Sequence, residues 1–264
     1  MSQLLHWHPK KVRLFLILGG FFIANALLAE FIGVKIFSLE KSLGWEGLNL
    51  SLFGQTSLGF NLTAGVLLWP VVFIMTDIIN EYYGMKGVRS FSFLAATLIA
   101  YAFGMVFFAM KLVPADFWPA SAEARGIADM QLAYEAIFGQ GLWIIIGSLV
   151  AFLVGQLVDV FVFHQVKVLT GEGKIWLRST GSTLVSQLID SFVVLFIAFY
   201  IGADWSLGLV LAIGVVNYIY KFTAAIVLTP LIYVAHWAID KYLGPELSEQ
   251  MRNEAHGKNA IASV

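Results

Sequence analysis

The chain has 264 residues, 59% of them hydrophobic and only 12% charged, with a net charge of −1, against roughly 45–50% apolar and about 25% charged in a soluble domain. Phe (22), Tyr (9) and Trp (8) outnumber the charged side chains (16 Lys+Arg, 17 Asp+Glu), and mean hydropathy is +0.81, so too few charges remain to cover a water-exposed surface. The charge balance excludes a nucleic-acid partner, which needs a basic field, and the lack of cysteine removes disulfides, thiolate nucleophiles and Cys-ligated metals.

Apolar runs long enough to cross a hydrocarbon core of about 30 Å predict an all-α integral membrane protein. Six transmembrane helices are expected in one polytopic domain, 1–243, at 14–39, 58–76, 90–110, 141–163, 179–203 and 205–239. The first run also fits a cleavable signal, with Ala24-Asn25-Ala26 as the small-residue site, but it continues past that triplet and is expected to stay as a span. Leu48 to Phe53 alternates apolar and polar residues and predicts one arm of an outer β-hairpin. The outer connection 112–140 carries Pro114, Pro119 and a weakly amphipathic stretch, Ile127 to Phe138, expected along the interface. The last run, interrupted by Asn217, Lys221 and Pro230, is too long for one perpendicular crossing and is expected to be a single broken helix. A polar, disordered cytoplasmic tail is expected over 244–264.

Basic residues set the orientation. Eleven fall in alternate connections: Lys10, Lys11 and Arg13; Lys86 and Arg89; Lys167, Lys174 and Arg178; Lys241, Arg252 and Lys258. Only Lys41, Lys111 and Arg125 fall in the others. The asymmetry places both termini in the cytoplasm of a bacterial inner membrane, which requires an even number of crossings and favours six over seven.

Burying a charge at a helix centre costs at least about 2.5–3.5 kcal/mol, so the intramembrane charges are the informative residues: Glu30, Lys35, Asp77, Asp159, Asp190 and Lys221. Asp190 and Lys221 fall at nearly the same depth on sequential spans, either as a structural ion pair or as a binding group with its charge balance. LVGQLVDVFVF from Leu153 and LVSQLIDSFVV from Leu184 share seven of eleven positions. The two copies are expected to run in opposite directions, as in transporters with inverted repeats. In each, Gln and Asp are three apart and share a helix face (Gln156/Asp159, Gln187/Asp190). An ionised Asp accepts while Gln both donates and accepts, a combination suited to the amide-like edge of guanine. Phe192, Tyr200, Trp69, Tyr218 and Tyr220 are candidates to stack on such a base. Asp77 and Glu81, four apart in TDIINEYYG, follow a run containing Pro70, expected to free carbonyls near the midplane.

At these residues the chain resembles the queuosine precursor transporter family, within the vitamin uptake transporter group. The matching pattern comprises Pro70; Thr76, Asp77, Glu81, Tyr83 and Gly84 with Arg89 nearby; Ser182 to Asp190; Lys221 with Thr229 to Tyr233; and Asn25 with Lys35. The outer connection is longer than the family pattern, and Arg89 stands alone where the family often has more basic residues. The resemblance implies import of 7-deazaguanine bases such as 7-cyano-7-deazaguanine, without a cofactor, for salvage into tRNA queuosine. It implies a substrate site of Asn25, Gln187, Asp190 and Lys221, with Gln156 and Asp159 nearer the cytoplasm and Asp77, Glu81, Arg89 and Tyr83 at an inner gate. The partners are then a purine-like base and the lipid bilayer; homo-oligomerisation and an ATPase partner stay open. The alternatives are the substrate-binding membrane subunit of an energy-coupling-factor vitamin transporter and, remotely, an intramembrane acid–base enzyme. No catalytic motif supports the latter: H-E-x-x-H and G-x-S-x-G are absent, and Gly171 to Lys174 lacks the phosphate-loop spacing. No catalytic or metal-ligating residues are assigned.

Overall fold

The computed structural model describes residues 8–139, 142–170 and 175–255; Gly171 to Lys174 and the tail beyond Ala255 lie outside them. Helix α1 (Pro9–Ile32) begins on a His8 cap with Pro at its first position, where a missing N–H costs nothing. It stops earlier than the apolar run suggests. Residues after Gly33 extend into β1 (Ile36–Ser38), followed by the single turn α2 (Leu39–Ser42). Lys35, expected inside the span, is therefore exposed in the turn, where its carbonyl accepts from the Ala64 N–H.

Strands β2 (Leu50–Leu52) and β3 (Gln55–Leu58) form a hairpin, with β2 on the stretch whose alternation predicts one arm, and β4 (Asn61–Thr63) pairs antiparallel with β1. Glu40 ties this layer together by accepting from the Phe60 N–H at 2.7 Å and the Ser38 hydroxyl at 3.1 Å. Withdrawal from water works against its charge, but these hydrogen bonds outweigh it and hold the carboxyl below its ordinary value. The run 58–76 is thus helical only in its second half. After a 3₁₀ turn (Ala64–Leu67), α3 (Trp69–Met110) starts with Pro70 in its first turn, so Pro70 begins a helix and does not break one.

Helix α3 folds at Gly84, whose φ of 67° and ψ of −175° are non-helical. Tyr83 reaches Lys11 and Phe15 near the start of α1, whereas Gly65, just before the first arm, lies against Ala29 near its end. Phe91 meets Phe15, and Phe103 stacks on Phe31. The first arm, 69–83, therefore runs antiparallel to α1 and the second, 85–110, parallel to it. The connection after α3 then holds α4 (Met130–Phe138), capped by Asp129, on the stretch expected to be amphipathic.

Helices α5 (Leu142–Thr170) and α6 (Ile175–Leu195, continued by a π segment Phe196–Ile201) form the most extensive helix pair. Gly147 lies against Ala198, Gly155 against Asp190 and Asp159 against Ser186, so the two repeat copies run side by side in opposite directions. Helix α7 (Leu207–Leu243) passes through Pro230 without a break, correcting the expectation of a broken helix. At roughly 55 Å, by about 1.5 Å per residue, it outreaches the hydrocarbon core. Within the tail expected to be disordered, α8 (Pro245–Ala255) is helical and lies across the Gly84 turn, while the rest of that tail lies outside the described residues. Arg252 and Ser248 of α8 bond Asp240, and Lys11 pairs with Glu254 at 2.9 Å.

Among the described residues five helices, α1, α3, α5, α6 and α7, are long and apolar enough to cross a membrane. The chain is a multi-pass membrane protein. The β strands mark one end of the bundle, the hairpin end. Lys10, Lys11, Lys86, Lys167 and Lys241 mark the other, the basic end.

Candidate functional site

Four polar layers thread the bundle. At the hairpin end, under β1 and β4, lies a cavity of about 330 Å³, within the range of small-molecule sites. Trp69, Phe199 and Trp205 give it aromatic walls, and Phe199 and Trp205 stack at 4.4 Å. Its polar groups converge from four helices: Glu30 of α1 accepting from Ser148 of α5, and Asp190 of α6 bonded to Lys221 of α7, with Asn217 one turn before Lys221. Lys221 is buried. The repeat places Asp190, and α7 places Asn217 and Lys221 four apart on one face.

A second, small pocket of about 20 Å³ lies on the other side of Lys221. Lys221 borders both spaces. The small pocket is walled by Pro70, Asp77, Thr180, Thr183 and Gln187. Below it Asp77 accepts from the Ser179 hydroxyl, Asp159 accepts from Ser186 at 3.0 Å, and Thr76 donates to Gln156 at 2.7 Å. Farther toward the basic end Glu81 forms a buried ion pair with Lys167 at 3.1 Å. Beyond that, Tyr82 donates to Asp240 at 2.8 Å beside His236.

The structure brings Asp190 and Lys221 together in the cavity at the hairpin end. Gln187 lines the small pocket together with Lys221 but not the cavity that Asp190 lines, and Gln156 and Asp159 lie deeper. Asn25 is not at the cavity: its amide donates to the Phe21 carbonyl within its own helix. Asp77 and Glu81 lie toward the basic end, but Tyr83 fastens α1 through the Lys11 carbonyl at 2.7 Å, and Arg89 is exposed at the start of the second arm. Of the five candidate stacking residues only Trp69 lines the cavity. Phe192 lines a separate apolar groove beside α7, Tyr200 stacks on Phe196, Tyr218 meets Phe222 edge-on, and Tyr220 borders no described cavity. Glu30 carried a signal, being an acid in an apolar run, and Asn217 shares the helical face of Lys221. Ser148, Phe199 and Trp205 carried none, because only helix packing brings them to the same space. Among the described residues no group of three His, Asp or Glu side chains is arranged to hold a metal ion.

Residues 63–235 match the family described as "Putative vitamin uptake transporter". The chain is 32% identical over 191 residues to a "Probable queuosine precursor transporter" of Bacillus subtilis, covering 70% of this chain and 74% of that protein. It is 28% identical over 191 residues to a protein of the same name in Haemophilus influenzae (69% and 71% covered). It is 28% identical over 179 residues to the "Queuosine precursor transporter" of Escherichia coli (64% and 70% covered). No solved structure matches the chain.

Proposed function

The chain belongs to the queuosine precursor transporter family, within the vitamin uptake transporters, and from that premise we propose that it imports 7-deazaguanine bases such as 7-cyano-7-deazaguanine for tRNA queuosine salvage. The observation that carries the reading is the juxtaposition in the outer cavity of Asp190 with Lys221, between aromatic walls. A guanine-like edge offers N–H donors beside a carbonyl acceptor. A carboxylate accepts the first while an ammonium or the Asn217 amide donates to the second, and Trp69 and the Phe199–Trp205 pair supply flat apolar faces. Glu30, held by Ser148, provides a further acceptor across the cavity. The polar groups fix orientation, while the aromatic area supplies affinity that tolerates different groups at the 7-position.

In this reading the two arms of α3 cross separately, giving six crossings with both termini in the cytoplasm and the cavity facing outward. The test is complementation in cells that lack both synthesis and uptake of the precursor, fed with each base, with queuosine measured in tRNA. Restored modification supports the reading. Absence of queuosine with every base, despite membrane expression, overturns it.

A further inference from the structure

Asp77 of α3 and Asp159 of α5 are almost fully buried, at 2% and 0% exposure, on helices that the Thr76–Gln156 hydrogen bond ties together one residue before Asp77 and one turn before Asp159. Each accepts one serine hydroxyl, from Ser179 and Ser186 respectively. Asp77 Oδ1 and Asp159 Oδ2 are left without a donor. Two neighbouring carboxyls in a low-dielectric interior cannot both ionise at modest cost, and a bound proton supplies a donor where none is present. Glu81, one turn along α3, is paired with Lys167 of α5, and Lys221 of α7, across the small pocket, is paired with Asp190 of α6.

The small pocket supplies an independent observation. Its volume of about 20 Å³ exceeds the roughly 10–15 Å³ that one water needs, and it joins Asp77 to Lys221 at the floor of the outer cavity. Gln187, 2% exposed, lines it with an Oε1 that has no donor. A buried acceptor with nothing to accept, beside a carboxyl with the same deficit, marks a space built for a donor.

We propose that the Asp77–Asp159 pair is a proton-binding site that couples inward movement of substrate to inward movement of one proton. This rests on the transport reading above. The proton enters from the outer medium through the cavity and the water-sized pocket, resides on the carboxyl pair, and leaves to the cytoplasm when the bundle opens toward the basic end. Only O–H bonds form and break. Lys221 is the structural link, since it borders both the substrate cavity and the pocket above Asp77.

Two measurements on the full-length chain test this. In liposomes clamped at zero potential, an alkaline interior should drive labelled 7-cyano-7-deazaguanine to about tenfold accumulation per pH unit, the value for one proton per neutral substrate; Asp77→Asn and Asp159→Asn should lose this response. Separately, infrared spectra of detergent-purified protein without substrate should show a protonated-carboxyl carbonyl band at neutral pH that either substitution removes. Wild-type protein that exchanges substrate between the two sides but ignores the pH gradient, or follows a sodium gradient instead, overturns the coupling and leaves the transport reading intact. Absence of the band overturns the proton site even where no substrate exchange is observed.

Discussion

Asp190 lies against Gly155, whose absent Cβ would stand 3.5 Å from the Asp190 Cβ, whereas the equivalent contact of the repeat, Asp159 to Ser186, is a 3.0 Å hydrogen bond. Gly155 and Ser186 occupy the same place in the two copies of the repeat, so the antiparallel pairing presents each aspartate with its counterpart's neighbour. The asymmetry of one residue decides their fates. Asp159 accepts from Ser186 through Oδ1 within the α5–α6 pair, while Asp190 bonds Lys221 across to α7.

Gly155→Ser restores the symmetry. The space is ordinary van der Waals distance, with Asp190 Oδ1 at 3.8 Å and Phe73 Cζ also at 3.8 Å, so the variant should fold with normal expression. Its hydroxyl competes with Lys221 for Asp190, and uptake should fall several-fold with little change in thermal stability. An unchanged uptake rate would show that the bare face of Asp190 has no part in transport.

Asp190→Asn preserves shape but strands the Lys221 ammonium, a loss of roughly 3–5 kcal/mol when one partner of a buried pair is removed. Uptake should be abolished. The double change Asp190→Asn with Lys221→Gln should recover stability in a melting assay but not transport. Recovery of wild-type transport would make the pair scaffolding.

At Gly84 any side chain meets two obstacles. The backbone has φ of 67°, and a Cβ would stand 2.7 Å from the Ala255 carbonyl oxygen. Gly84→Ala should cost about 1–2 kcal/mol from the backbone alone and displace α8. Protease sensitivity at 245–255 should rise while α5 to α7 stay protected.

Orientation follows from the basic end. Reporter fusions after Ala255 should read as cytoplasmic, and fusions between Ala115 and Asp129 as external. An external C-terminus would remove the six-crossing reading and turn the outer cavity inward.

The hairpin layer should respond to acid through Glu40. Because the folded carboxyl titrates below its ordinary value near 4.5, its contribution is complete above that value and is lost as pH falls through the lower folded value. Amide exchange at Phe60 should therefore accelerate at low pH, and Glu40→Gln should flatten that dependence.

Hydrophobicity, the repeat and the few buried charges made the membrane class, most of the long helices, the antiparallel α5–α6 pair and the Asp190–Lys221 contact legible in the sequence, because transfer cost and helical spacing are local properties of the chain. Backbone competition decided the boundaries. Residues 36–38 and 61–63 satisfy backbone N–H and C=O groups by pairing with each other at the hairpin end, where hydropathy alone placed helix. The tail helix is too polar to signal burial and is fixed by Asp240 and the Gly84 turn. The site shows the same division. Helical period put Gln187 and Asp190 on one face, but a face three residues wide spans two compartments once Lys221 lies between them. The cavity walls, Phe199, Trp205 and Ser148, come from three places in the chain, and only the packing of α1, α5, α6 and α7 makes them neighbours.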